Sequence, residues 1–389
     1  MERNQFIQDI SLIYGKVTEQ IFFQIRELIV NSLMFVEKQL VDISDHPNLK
    51  EYFYHLFSNE IVKNIEQIKN ISQESLLTLL YYYSEFLSNI IDIIQPFEPS
   101  LTKSLFNEIF LPSLFSDKLL TSEYFDVFIK NNGNILSTER VVQEIQELNY
   151  KSVFLLIPPL LSDETIWEST YQNQTTIDNL LKNKNIYTIK FQFDPAKTIQ
   201  ENSQILYSIL KDIFDNLEKK IQFNVIAFST GNYIIRYLIN YYNDFFINKF
   251  YNLIMINSPE LGVKLERFIL WAGFLYKYDP KTSIKILKIL TDENFKIIND
   301  FDNSILFSKQ FLQKEKEIFK QYNINKIYSL ITENNSMWSP WLGDGLIEEP
   351  SLSFHNEDIS EKNISTINGT SHLQIIPSAE LRNILHQII

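Results

Sequence analysis

The chemistry of this chain starts at a serine. Phe223-Asn224-Val225-Ile226-Ala227-Phe228 is a largely apolar, β-branched run that ends at Ser229. Gly231 follows two residues later, and then comes helix-like spacing at Ile234, Ile235, Tyr237 and Leu238. This is the strand, tight turn and helix of a nucleophile elbow, which lifts a hydroxyl above a sheet edge on a strained turn. Strand and helix approach closely there, so the positions two before and two after the serine must be small. Ala227 and Gly231 meet that need. Alone, A-x-S-x-G is a weak signal. A serine becomes a nucleophile only when a base takes its proton. Histidine is suited to that work because it titrates near neutrality. The chain has five histidines. His46 and His55 lie in an N-terminal helical region, and His386 lies in the last helix. His372 sits in Asn368-Gly369-Thr370-Ser371-His372-Leu373, directly after a strand-like run. His355, in a polar segment between two strand-like runs, is its competitor. A carboxylate must hold the imidazole tautomer, and Asp344 in Gly343-Asp344-Gly345 is placed to do so. The order serine, aspartate, histidine, each after a strand, is the order of the hydrolase-type triad.

The elements that must position these residues come from the hydrophobic pattern. Short continuous apolar runs at 153–157, 186–191, 223–227, 253–256, 327–331 and 364–367 read as buried parallel strands. Helical patterns at 165–182, 200–219, 231–243 and 378–388 separate most of them. The alternation predicts an α/β fold with a mainly parallel sheet covered on both faces, with active residues at the carboxyl ends of the strands. Residues 263–322 interrupt it with helices only, expected at 264–276, 282–291 and 305–321. Ahead of the sheet, helical periodicity at 4–43, 48–69, 73–94, 100–116 and 138–148 predicts an all-α extension over 1–148. The α/β domain is then 149–389.

Composition narrows the class. The formal net charge is −13 and the pI about 5.0. An acidic chain lacks the basic footprint of a nucleic-acid binder and has no general attraction to anionic lipid. There is no cysteine, hence no disulfide, thiolate nucleophile or thiolate metal site. The N-terminus has no signal-peptide pattern, and no run of about 20 apolar residues could span a bilayer. These features predict a cytoplasmic protein whose membrane contact, if any, is peripheral. Nothing in the sequence specifies an oligomeric state.

From about residue 150 to 388 these motifs together resemble the α/β-hydrolase superfamily. The likeness is to bacterial esterase/lipase proteins related to the inositol deacylases of GPI anchors, some of which carry a helical N-terminal extension. Leu155-Leu156-Ile157-Pro158-Pro159-Leu160 stands where those proteins have apolar residues followed by His-Gly. Ala227–Gly231 stands for their elbow. Met255-Ile256-Asn257-Ser258-Pro259-Glu260-Leu261-Gly262 resembles their Gly-Thr-Pro-His-x-Gly segment. Gly343–Ile347 and Ser371-His372-Leu373 resemble their acid and histidine motifs. The resemblance implies an oxyanion hole from the main-chain N–H groups of Leu160 and Thr230. It also implies a lid at 263–322. Phe228 and Trp271 are expected at the substrate, Trp271 from the apolar first helix of that lid.

The expected activity is hydrolysis of a carboxylic ester, lipid-like, through an acyl-serine, with neither metal nor cofactor. Two alternatives stand beside it. One is an acyltransferase using the same triad. The other is a catalytically silent interaction protein on the same fold, motivated by Pro158-Pro159 in place of His-Gly and by the large helical extension.

Overall fold

A computed structural model of the 389-residue chain describes residues 128–131, 134–148, 150, 152–159, 162, 164–168, 175–218, 221–263, 296–300, 305–321, 327–333, 347, 363–368, 372 and 375–389. The chain divides into two compact units, Met1–Lys103 with Lys264–Glu293, and Ser104–Val263 with Asn294–Ile389. All described residues lie in the second. The helices expected between 4 and 116, and those at 264–276 and 282–291, fall outside the described residues.

The described strands are β1 (Phe128–Asn131), β2 (Asn134–Leu136), β3 (Ser152–Ile157), β4 (Tyr187–Gln192), β5 (Gln222–Phe228), β6 (Phe250–Ile256), β7 (Ile327–Glu333) and β8 (Ile364–Asn368). They form one sheet in the order β2-β1-β4-β3-β5-β6-β7-β8. From β4 to β8 every pairing is parallel, while β1 pairs antiparallel with both β2 and β4. The architecture is therefore the mainly parallel α/β sheet that the alternation of strands and helices predicts. Parallel strands need crossovers, and the strands are interspersed with the described helices. These are α1 (Thr138–Glu147), α2 (Ile177–Asn183), α3 (Ile199–Asn216), α4 (Asn232–Tyr241), α5 (Asn243–Lys249), α6 (Lys309–Gln321) and α7 (Ala379–Ile388).

The sheet reaches further toward the N-terminus than the expected boundary at 148/149. β1, β2 and α1 all precede that boundary, and the register Ile129↔Phe191 ties β1 to β4. α1 buries Val141, Val142 and Ile145. The reason is local: β1 and β2 are four and three residues long, too short to leave a periodic signal. The helix expected at 165–182 is a 3₁₀ turn at Glu164–Glu168 and the separate α2. Thr176 starts α2 afresh as its N-cap, accepting from Asn179 N–H. The helix expected at 231–243 ends at Tyr241, and α5 follows it.

Both faces of the sheet are dry. Phe154 and Leu156 of β3, Ile226 and Phe228 of β5, and Ile254 and Ile256 of β6 join one cluster with Trp167, α2 and α7. The alternate residues Val153, Leu155, Val225 and Ala227 are also buried. α3 and α4 pack together, and α6 packs on α4. α3 begins with a reciprocal capping box between Thr198 and Glu201, so its first turn leaves fewer amides unpaired.

Candidate active site

The elbow forms where the sequence places it. β5 ends at Phe228 in extended conformation, and Ser229 turns to φ 52. A left-handed conformation costs a non-glycine residue energy and persists where its surroundings enforce it. Ser229 to Gly231 make a 3₁₀ turn that leads directly into α4. Asn232 Nδ2 donates to Ser229 O at 2.8 Å and to Ile256 O at 3.3 Å, fastening the turn to the end of β6.

Gly231 is required by close approach, not by dihedral freedom, since its φ is −60. A Cβ there would lie 2.3 Å from Pro158 O and 3.0 Å from Ile157 O. The loop after β3 therefore rests directly on the first turn beyond the serine. The 3₁₀ turn and the N-terminus of α4 place main-chain N–H groups and the positive end of a helix dipole beside Ser229, which suits developing negative charge.

His372 is the partner. Its Nε2 lies 2.7 Å from Ser229 Oγ, and the residue is 1% exposed. Phe228 stacks on its ring, with centroids 5.3 Å apart at 25°. Phe228, expected at the substrate, is buried in the core cluster beside the histidine. Strand alternation explains this, since Phe228 shares the inward face with Ile226. Thr230 is buried in the elbow turn. Asp344, Leu160 and Trp271 lie outside the described residues, as does the competing His355.

Sequence reasoning missed Asn257. It follows β6 at φ 41 and is fully buried. Its side chain bonds Thr332 and the carbonyl of His372. The available signal was an asparagine, a residue that tolerates left-handed backbone, standing where the resembling proteins have glycine.

A hydroxyl held on a strained turn within hydrogen-bond reach of a buried imidazole can do acyl transfer. Among the described residues, no group of histidine, aspartate and glutamate side chains could hold a metal ion.

Residues 156–334 match a protein family described as "Putative serine esterase (DUF676)". This stretch, a little under half of the chain, is similar to that family. The match spans the loop after β3, the elbow and the Asn257–Gly262 loop, and it ends ahead of the histidine. No curated protein matches the chain by sequence. Solved structures similar to this chain include the mature lipase BlEst2 of Bacillus licheniformis, at 13% identity and TM-score 0.39, covering 61% of this chain and 92% of that one. A carboxylesterase from Nitrososphaera gargenis is similar at 14% identity and TM-score 0.41, covering 68% and 95%. A hydrolase of Oleispira antarctica is similar at 13% identity and TM-score 0.39, covering 67% and 93%.

Proposed function

We propose that the protein hydrolyses carboxylic esters of medium or long acyl chains through an acyl-serine intermediate, with Ser229, His372 and Asp344 as its triad. The observation that carries the reading is the 2.7 Å approach of His372 Nε2 to Ser229 Oγ at a left-handed elbow. Ser229 Oγ attacks the acyl carbon while His372 takes its proton. The tetrahedral oxyanion is stabilised by the N–H groups of Leu160 and Thr230. As the intermediate collapses, His372 returns the proton to the departing alkoxide, and the alcohol leaves. Water, deprotonated by His372, then attacks the acyl-serine; as the acyl–oxygen bond breaks, His372 returns the proton to Ser229 Oγ and the carboxylic acid leaves. Asp344 holds the imidazole tautomer and balances its positive charge.

The apolar residues Phe268, Leu270, Trp271, Phe274 and Leu275 motivate the long-chain preference, because in sequence they follow directly on the Ser258–Gly262 loop. Each methylene buried against them contributes about 0.8 kcal/mol, roughly fourfold in rate when realised in the transition state. Four carbons then separate a lipid-type esterase from an acetyl esterase by about 200-fold. Among the described residues, no helix is long and apolar enough to cross a membrane.

The test is kcat/KM on p-nitrophenyl esters from C2 to C12, with wild type and Ser229→Ala, together with fluorophosphonate labelling. The expected result is a rising profile in wild type, and neither turnover nor labelling in Ser229→Ala. Full activity in a folded Ser229→Ala protein refutes the serine mechanism. A flat profile refutes the lipid-like substrate alone.

A further inference from the structure

We propose that Asn257 is a positioning residue that ties the catalytic histidine's backbone to the sheet and so sets the distance from His372 Nε2 to Ser229 Oγ. This rests on the serine-hydrolase reading above and assigns a residue outside the triad and the oxyanion hole.

The argument begins with the ladder between β6 and β7. Ile256 pairs with Leu330, and Asn257 N–H donates to Leu330 O at 2.8 Å. The next rung of a parallel ladder would run from Thr332 N–H to the main-chain carbonyl of Asn257. Here Thr332 N–H donates instead to Asn257 Oδ1, at 2.7 Å. The side chain supplies the rung while the main chain turns to φ 41.

That rung fixes the orientation of the amide. A main-chain N–H can only donate, so Oδ1 must face Thr332 N and Nδ2 must face the other way. Nδ2 then donates to Thr332 Oγ1 at 2.9 Å and to His372 O at 3.3 Å. One fully buried side chain thus joins the ends of β6 and β7 to the loop after β8. β5 presents the serine and its neighbour β6 presents Asn257. The histidine is thereby referenced to the same rigid sheet as its nucleophile. Phe228 stacks on the ring, and Asn257 holds the carbonyl of the same residue.

Two substitutions separate the tie from the rung. Asn257→Gly accepts the left-handed backbone at no steric cost but loses both. Asn257→Asp retains the acceptor for Thr332 N–H and loses the donor to His372 O. Steady-state kinetics, the rate of fluorophosphonate labelling and thermal unfolding are measured for both, with Ser229→Ala alongside. A displacement of about 1 Å at a reacting group costs on the order of 100-fold. Both variants are therefore expected to lose about 10- to 100-fold in kcat and in labelling rate, with KM within about threefold. A purely structural role would lower the melting temperature and leave kcat of the folded enzyme intact. Wild-type kcat in Asn257→Asp overturns the proposal, because the rung without the tie would then suffice. Wild-type kcat in Asn257→Gly overturns it as well. In both cases an inactive Ser229→Ala leaves the serine mechanism standing. An active Ser229→Ala overturns both.

Discussion

Gly231 is the residue at which packing and catalysis meet most tightly. The three nearest atoms to an added Cβ, at 2.3, 3.0 and 3.0 Å, are all main-chain atoms of Ile157 and Pro158. No flexible side chain can move aside. Gly231→Ala must therefore push the loop after β3 away from the elbow, and the residue beyond the two prolines is Leu160, the proposed oxyanion donor. Overpacking of this kind costs about 1–3 kcal/mol of stability. A displaced donor costs roughly 100-fold in rate. We expect kcat/KM to fall about 10- to 100-fold while the folded fraction at 25 °C stays near wild type. Ester kinetics beside urea denaturation check this, and kcat/KM within twofold of wild type would show that the loop tolerates displacement. The residue-level legibility has the same physical basis. Ser229 and His372 were readable because each follows its own strand, a local pattern. Asn257 was not, because its partners Leu330, Thr332 and His372 lie 73 or more positions away and meet it only when three strand ends align.

At the scale of elements, the helix that follows Ser229 is held by a buried ion pair. Arg236 of α4 donates to both oxygens of Glu315 on α6, Nε to Oε1 at 3.0 Å and Nη2 to Oε2 at 2.9 Å. Both side chains are almost wholly excluded from water. The guanidinium also lies 5.9 Å from the centroid of Phe307 and 6.0 Å from that of Phe311. Burial alone would depress the Arg236 pKa, but the charge of Glu315, its hydrogen bonds and the charge of Glu260 raise it. Removing the cation takes from buried Glu315 its two-pronged charged partner, so Arg236→Met is expected to destabilise by about 3–5 kcal/mol. Glu315→Gln is expected to cost less, because Arg236 keeps the field of Glu260. Urea midpoints measure both, and an Arg236→Met midpoint equal to wild type would deny the pair any structural role. The strands from β3 to β8 and the long α3 were legible because they are sustained apolar or periodic runs. The hairpin of β1 and β2 was not, although Asn132-Gly133 between them is the dipeptide favoured in tight hairpins. Its flanking strands are simply too short to weigh against a helical neighbourhood.

For the molecule as a whole, the acidic balance makes low pH the informative stress. With 48 carboxylate and 35 basic side chains, acidification first relieves self-repulsion. Below that range, carboxylates that are charged and paired in the fold must take up protons. Asp178 is the clearest of them. It is buried in the first turn of α2, and it meets Lys182 Nζ at 2.6 Å, Lys190 Nζ at 3.2 Å and Thr188 Oγ1 at 3.1 Å. Lys190, in the middle of β4, is itself 1% exposed and also meets Glu168 at 2.6 Å. Burial pushes the Asp178 pKa up, but Lys182 and Lys190 more than offset it, and the net shift is downward. A carboxylate whose folded pKa is depressed contributes stability that is complete above its unfolded pKa, about 3.9, and is lost as pH falls through the lower folded value. Asp178→Asn removes the charge at every pH and leaves Lys190 with an exposed partner only. At neutral pH the variant should be less stable than wild type by about 3 kcal/mol. As pH falls from about 3.9 through the lower folded value, the wild-type carboxylate protonates too, so the two stability curves should converge. Urea titrations of both proteins across the acid range measure the gap directly. A gap that stayed constant down the whole range would mean that Asp178 acts through shape and neutral hydrogen bonding, and that the acid limb of this fold is set elsewhere.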